Sequence, residues 1–275
     1  MQDRPKSASR VQKVSREDFF KAHPRCCYCN GKQAACEIDH APARICFMNK
    51  FGPQGFEFPS CSSCNRALAT TEQVLAFYIR SFDQSNENLD SIEYEKLISG
   101  IVNNAPDAIP QFQQQRSSLS LMMGTPTVAE RTMILPSAAK RHIELFALKI
   151  LYAIYYKTTG KMAGSSNRYL VTWAQTGTPA ARTMSANADA WFDQHVIGAR
   201  PNVDLGEQFI YQTGYHPDHG YFGIKMSFGD SFVFFGVIGP ARGLSTLRPR
   251  LSLCPSIYDA AKKVGKPKVQ RRLQF

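Results

Sequence analysis

Residues 25–72 read RCCYCNGKQAACEIDHAPARICFMNKFGPQGFEFPSCSSCNRALATTE, and this stretch decides the fold. It holds two Cys-x-x-Cys pairs, Cys26/Cys29 and Cys61/Cys64, with 31 residues between them. Zn²⁺ takes four soft ligands at the corners of a tetrahedron, and two knuckles of this spacing provide them with little backbone strain. Cys27 replaces Cys26 only if the two-residue gap is abandoned, so Cys26 is preferred. Cys36 and Cys46 have no partner at that spacing and read as small buried hydrophobes. Seven of the eight cysteines fall within residues 26–64, and Cys254 stands apart. The N-terminus shows no apolar segment of a signal peptide, so the expected location is the cytoplasm. In a reducing compartment such a cluster points to metal rather than disulfides.

Between the knuckles stands Glu37-Ile38-Asp39-His40-Ala41-Pro42, and Asn65 follows the second knuckle directly. A carboxylate beside a histidine, with an amide brought close by the zinc, suits phosphodiester hydrolysis. His40 fits the role of base for water near neutral pH. Asp39 and Asn65 fit a hard cation, Mg²⁺ or Mn²⁺, which would neutralise charge on the phosphate and the leaving oxygen. Glu37 and Glu72 are further carboxylates near that cation, and Glu72 lies two helical turns beyond Asn65. Arg44 and Arg66 flank the site and are candidates to clamp phosphate, with solvated surface arginines as the competing reading.

The pattern C-x2-C…DH-x-P…C-x2-C-N resembles the HNH (ββα-metal) endonucleases. It is especially similar to the zinc-stapled branch that includes phage Holliday-junction resolvases and bacterial restriction-like nucleases. The resemblance covers about residues 24–80. It implies a β-hairpin around Glu37–His40 and Phe56–Phe58, then a helix from Asn65. It further implies His40 as general base, Asp39 and Asn65 as ligands of the divalent cation, and a structural zinc on the four cysteines. Products with 5′-phosphate and 3′-hydroxyl ends follow from the same resemblance, as does a restriction, phage-defence or mobile-element setting. Many members carry a middle Asn before the second knuckle. None stands in GFEFPSC, and that position is unassigned.

Working outward, 275 residues suit one large domain or two small ones. A content of 43% hydrophobic and 20% charged residues excludes disordered, collagen-like and coiled-coil chains. No apolar run approaches the ~18 residues that span a bilayer, so no membrane partner is expected. The net charge of +11 is unevenly placed: residues 111–275 hold 20 Lys/Arg against 9 Asp/Glu, and residues 1–110 are balanced. Such a surplus fits a polyanionic partner, here DNA with RNA also open, and solubility is the competing reading.

The organisation expected is α+β. Residues 1–16 read as a basic arm and 17–100 as the zinc/nuclease module, with short helices at 17–24 and in LDSIEYEKLISG, the latter ending at Gly100. Residues 101–129 read as a linker. Residues 130–260 form a second α+β domain, which begins with a long helix from Ser137 to about Tyr156 and continues as an antiparallel strand meander turning at Gly229-Asp230. This domain is the expected DNA grip, regulator or protein-partner surface. Residues 261–275 read as a solvated basic tail. His216-Pro217-Asp218-His219 reads as a polar hairpin tip rather than a second metal site. Tyr152, Tyr155 and Tyr156 read as core packing rather than base-stacking residues. The alternative to a nuclease is a zinc-finger-type nucleic-acid-binding or interaction protein without catalysis.

Overall fold

A computed structural model describes residues 15–82, 92–115, 130–189, 196–197, 205, 207–216, 220–242 and 251–264. Helix α1 (Arg16–Ala22) opens at Ser15, whose Oγ accepts the Asp18 N–H at 3.1 Å and satisfies one free donor of the first turn. The hairpin expected between the knuckles follows. Strand β1 (Glu37–His40) pairs antiparallel with β2 (Glu57–Ser60), placing Asp39 opposite Phe58 and His40 opposite Glu57. Helix α2 (Ser62–Phe82) starts at the second knuckle and buries Leu68, Thr71, Leu75, Tyr78 and Ile79.

Helix α3 (Ile92–Asn104) does not stop at Gly100 as expected. Gly100 lies inside the helix, facing the flexible side chain of Gln73 on α2. The linker expected at 101–129 also changes character. It begins with the last turn of α3 and a 3₁₀ turn at Pro106–Ala108, where Tyr78 Oη donates to the buried Ala108 carbonyl at 2.5 Å. Strand β3 (Gln111–Gln115) then pairs with β4 (Glu130–Ile134). A ladder needs only backbone groups, so the Gln-rich composition that suggested a linker does not prevent one. Residues 116–129 lie outside the described residues, as do 1–14 of the expected arm.

The long helix is α4 (Ser137–Thr159), buried along Ile143, Phe146, Ile150, Leu151 and Ile154. It lies against a six-stranded antiparallel sheet built from β5 (Asn167–Gln175), β6 (Val196–Ile197), β7 (Ile210–His216), β8 (Tyr221–Phe228), β9 (Phe232–Pro240) and β10 (Ser252–Leu253). The strand order is β10-β5-β9-β8-β7-β6, with the β8–β9 turn at Gly229-Asp230 as expected. Helix α5 (Pro179–Asp189) packs Ala181 and Met184 against Ala174 and Val233. Helix α6 (Ile257–Val264) corrects the tail. Its Ala260, Ala261 and Val264 pack on the core, so residues 261–264 are anchored, and 265–275 lie outside the described residues.

The two expected domains share one hydrophobic core, which runs from Cys26 to Ile257. An aromatic seam joins the hairpin region to the sheet. Phe56 meets Phe209 at 5.8 Å and Tyr211 at 5.6 Å, and Phe47 meets Phe209 at 6.3 Å. Phe47 and Phe58 are fully buried, each worth about 1.5–3 kcal/mol relative to exposure. Among the described residues no helix is long and apolar enough to cross a membrane.

Candidate functional site

The four knuckle cysteines converge. The sulfurs of Cys26, Cys29, Cys61 and Cys64 all lie within 4.8 Å of one another, and all four residues are buried. The first knuckle closes because Asn30 and Gly31 adopt left-handed backbone (φ 59° and 71°), which these two residue types tolerate best, and Gly31 N–H returns to the Cys26 carbonyl at 3.1 Å. The second knuckle lies at the entry to α2, with Asn65 N–H on the Cys61 carbonyl at 3.0 Å. A Zn–S length of about 2.3 Å gives tetrahedron edges of roughly 3.8 Å, which this cluster accommodates. The thiols already share protons unequally. The hydrogen bond with Cys64 draws Cys26 down to about 5, and burial pushes Cys29 up to about 11. A soft cation such as zinc fits this set. Cys46 is buried as expected, but Cys36 is exposed, because it lies in the open approach to β1.

Asp39 and His40 do not face the same site. In an extended strand neighbouring side chains take opposite faces, so Asp39 and His40 part. Asp39 turns inward and is 5% exposed. There it meets Lys149 of α4, whose Nζ lies 2.7 and 3.0 Å from its two oxygens, and it accepts the Tyr28 hydroxyl at 2.6 Å. The same ammonium pairs with Glu72 of α2 and reaches the His40 carbonyl at 3.3 Å. Lys149 itself is fully buried. Burial would depress its ammonium, but Asp39 and Glu72 outweigh that and push it up to about 12. Burial is also the main influence on Glu72, pushing it up to about 7 against the pull of Lys149. Asn65 is one step further along the strand face, where its Nδ2 donates to Glu37.

The expected Asp39/Asn65 pair therefore does not fit a divalent cation as these side chains stand. Asp39 already has an ammonium and a phenol on its oxygens. A divalent ion about 4 Å from the ammonium would meet repulsion of about 8 kcal/mol at an effective dielectric of 20.

His40 faces the other way, into a cleft of about 680 Å³ lined by His23, Ile38, Arg44, Glu57, Tyr156 and Lys157. Its Nε2 is buried without a hydrogen-bond partner, 3.9 Å from a Glu57 oxygen. Burial first, and then Arg44, lower its pKa and favour the neutral ring. Lys157 is held at the rim by the Gly55 carbonyl at 2.7 Å and by the Phe56 ring at 5.2 Å. His23 Nδ1 sits 2.7 Å from the Tyr156 hydroxyl.

Of the two candidate arginines, Arg44 lines this cleft, whereas Arg66 is exposed on α2 and is not among its lining residues. Tyr152 and Tyr155 are buried as expected, and Tyr152 Oη donates to the Pro255 carbonyl at 2.9 Å. His216 ends β7 with its ring on Tyr221, and residues 217–219 lie outside the described residues. Sequence reasoning missed Lys149, Tyr28, His23, Glu57 and Lys157. For Lys149 a signal existed: a lysine within the apolar stripe of α4 has to be neutralised inside the core. Comparison with protein-family models, characterised proteins and solved structures returns no match for this chain.

Proposed function

We propose that the chain takes a nucleic-acid backbone into the cleft beside the zinc-stapled hairpin and cleaves it there, with His40 as the general base. The observation that carries this reading is the unpartnered, neutral-favouring His40 Nε2 in a cleft rimmed by Arg44 and Lys157. A buried nitrogen without a partner is costly unless a ligand completes it. In this reading water held at Nε2 gives up its proton to the ring as its oxygen bonds to phosphorus, the bond from phosphorus to the 3′ oxygen breaks, and the departing 3′ oxygen takes a proton from solvent. Arg44 and Lys157 offset phosphate charge, and Glu57 stabilises the imidazolium that forms. No step is routed through a divalent ion on Asp39. The four cysteines hold zinc, which fixes the hairpin against α2.

The test compares wild type with His40→Ala on labelled DNA and RNA in magnesium-free buffer, measuring cleavage and affinity. Cleavage lost with affinity retained supports the reading, since the base acts in the transition state. Full cleavage by His40→Ala sinks it. The engagement of Asp39 by Lys149 favours a second reading, in which the cleft binds backbone without cutting. Wild type that binds but never cleaves would select that one.

A further inference from the structure

We propose that the Lys149 ammonium is the resident cation of the carboxylate site, so that the chain takes no divalent ion between Asp39 and Glu72. Three elements meet there: Asp39 from β1, Glu72 from α2 and Lys149 from α4. An ammonium has three N–H donors and no acceptor. Here three acceptors surround it: the Asp39 carboxylate, the Glu72 carboxylate and the His40 carbonyl. Its hydrogen-bonding capacity is filled. The side chain is wholly buried, as few lysines are unless paired. Tyr28 closes the remaining side, with its hydroxyl on Asp39 and its ring 5.7 Å from the ammonium.

A carboxylate pair facing a hairpin–helix frame is where a divalent ion would bind if the pair were free. The fixed positive charge at the same oxygens takes that position. It also ties the backbone carrying His40 to α4, which makes Lys149 a positioning residue for the strand that presents the cleft histidine. This inference goes beyond the proposed cleavage and does not depend on it.

The test is a Mn²⁺ titration of the zinc-loaded full chain, followed by the electron paramagnetic resonance signal of free Mn²⁺. Wild type should leave that signal undiminished. Lys149→Met, which keeps the side-chain length and removes the charge, should bind one Mn²⁺ at least about tenfold more tightly than wild type. Asp39→Asn in that background should remove the gain. One Mn²⁺ bound by wild type and lost in Asp39→Asn would overturn the proposal, as would a folded Lys149→Met with no gain. Should Lys149→Met fail to fold, the wild-type and Asp39→Asn titrations decide alone. Mn²⁺ occupancy involves neither nucleic acid nor cleavage, so failure here leaves the role of His40 to its own experiment.

Discussion

Two buried polar clusters belong to the same hairpin–helix frame and solve opposite electrostatic problems. At the knuckles, Cys26, Cys29, Cys61 and Cys64 bring four buried sulfurs together. Across the frame, Asp39 and Glu72 are drawn together around Lys149. A soft cation bound there would displace the thiol protons and neutralise the thiolates that result, so the first cluster could take an external cation. Two carboxylates sharing one ammonium keep at most one net negative charge, and burial, which pushes Glu72 up to about 7, lets a proton reduce even that. Whether a buried anionic cluster binds metal therefore depends on what the rest of the chain inserts into it, and α4 inserts a lysine into only one of these two.

The largest effect that sharpens this contrast is expected from removing the zinc proposed for the cysteines. Structural zinc is worth about 10–16 kcal/mol in small modules, and the core continuous from Cys26 to Ile257 should transmit its loss. Chelation should therefore lower the melting temperature of the whole chain in one transition, read by circular dichroism. A metal-free protein with an unchanged melt would break the contrast on the thiol side.

Asp39→Ala should come next, at about 3–5 kcal/mol in denaturant melts, because it strands a buried ammonium. Glu72→Ala should cost less, since Glu72 is more exposed than Asp39 and accepts no phenol. An Asp39→Ala variant as stable as wild type would contradict the ion cluster. His40→Ala should change stability least, within about 0.5 kcal/mol, while abolishing cleavage. For wild type, a base whose pKa lies below the ordinary histidine value stays unprotonated at neutral pH. Cleavage should accordingly be flat around neutrality and fall only as pH drops below the usual imidazole range. An activity that rises through neutral pH would place the base elsewhere.

The contrast also separates what local spacing can convey from what it cannot. Each cysteine pair closes within four residues, so the thiol cluster was legible from spacing, and the hairpin and helix around it were what the family resemblance implied. Lys149 is 110 positions from Asp39. No local pattern links the two, and their pairing exists only because α4 packs on α2. The dipeptide Asp39-His40 read as one working unit, yet strand alternation sends its members to opposite faces. The cleft was illegible for a related reason, since His23, His40 and Lys157 come from the C-terminal cap of α1, from β1 and from α4. Gly100 misled as a helix stop because a glycine inside a helix costs only about 1 kcal/mol, which packing can offset.

The central claim is that the thiol cluster takes a metal ion and the carboxylate cluster supplies its own cation. The most direct measurement is the native mass of the full chain after exposure to both Zn²⁺ and Mg²⁺. One bound ion per chain, zinc, lost in Cys61→Ser and retained in Asp39→Asn, is the predicted result. A second bound ion that disappears in Asp39→Asn, or no bound ion in the folded protein, would contradict it.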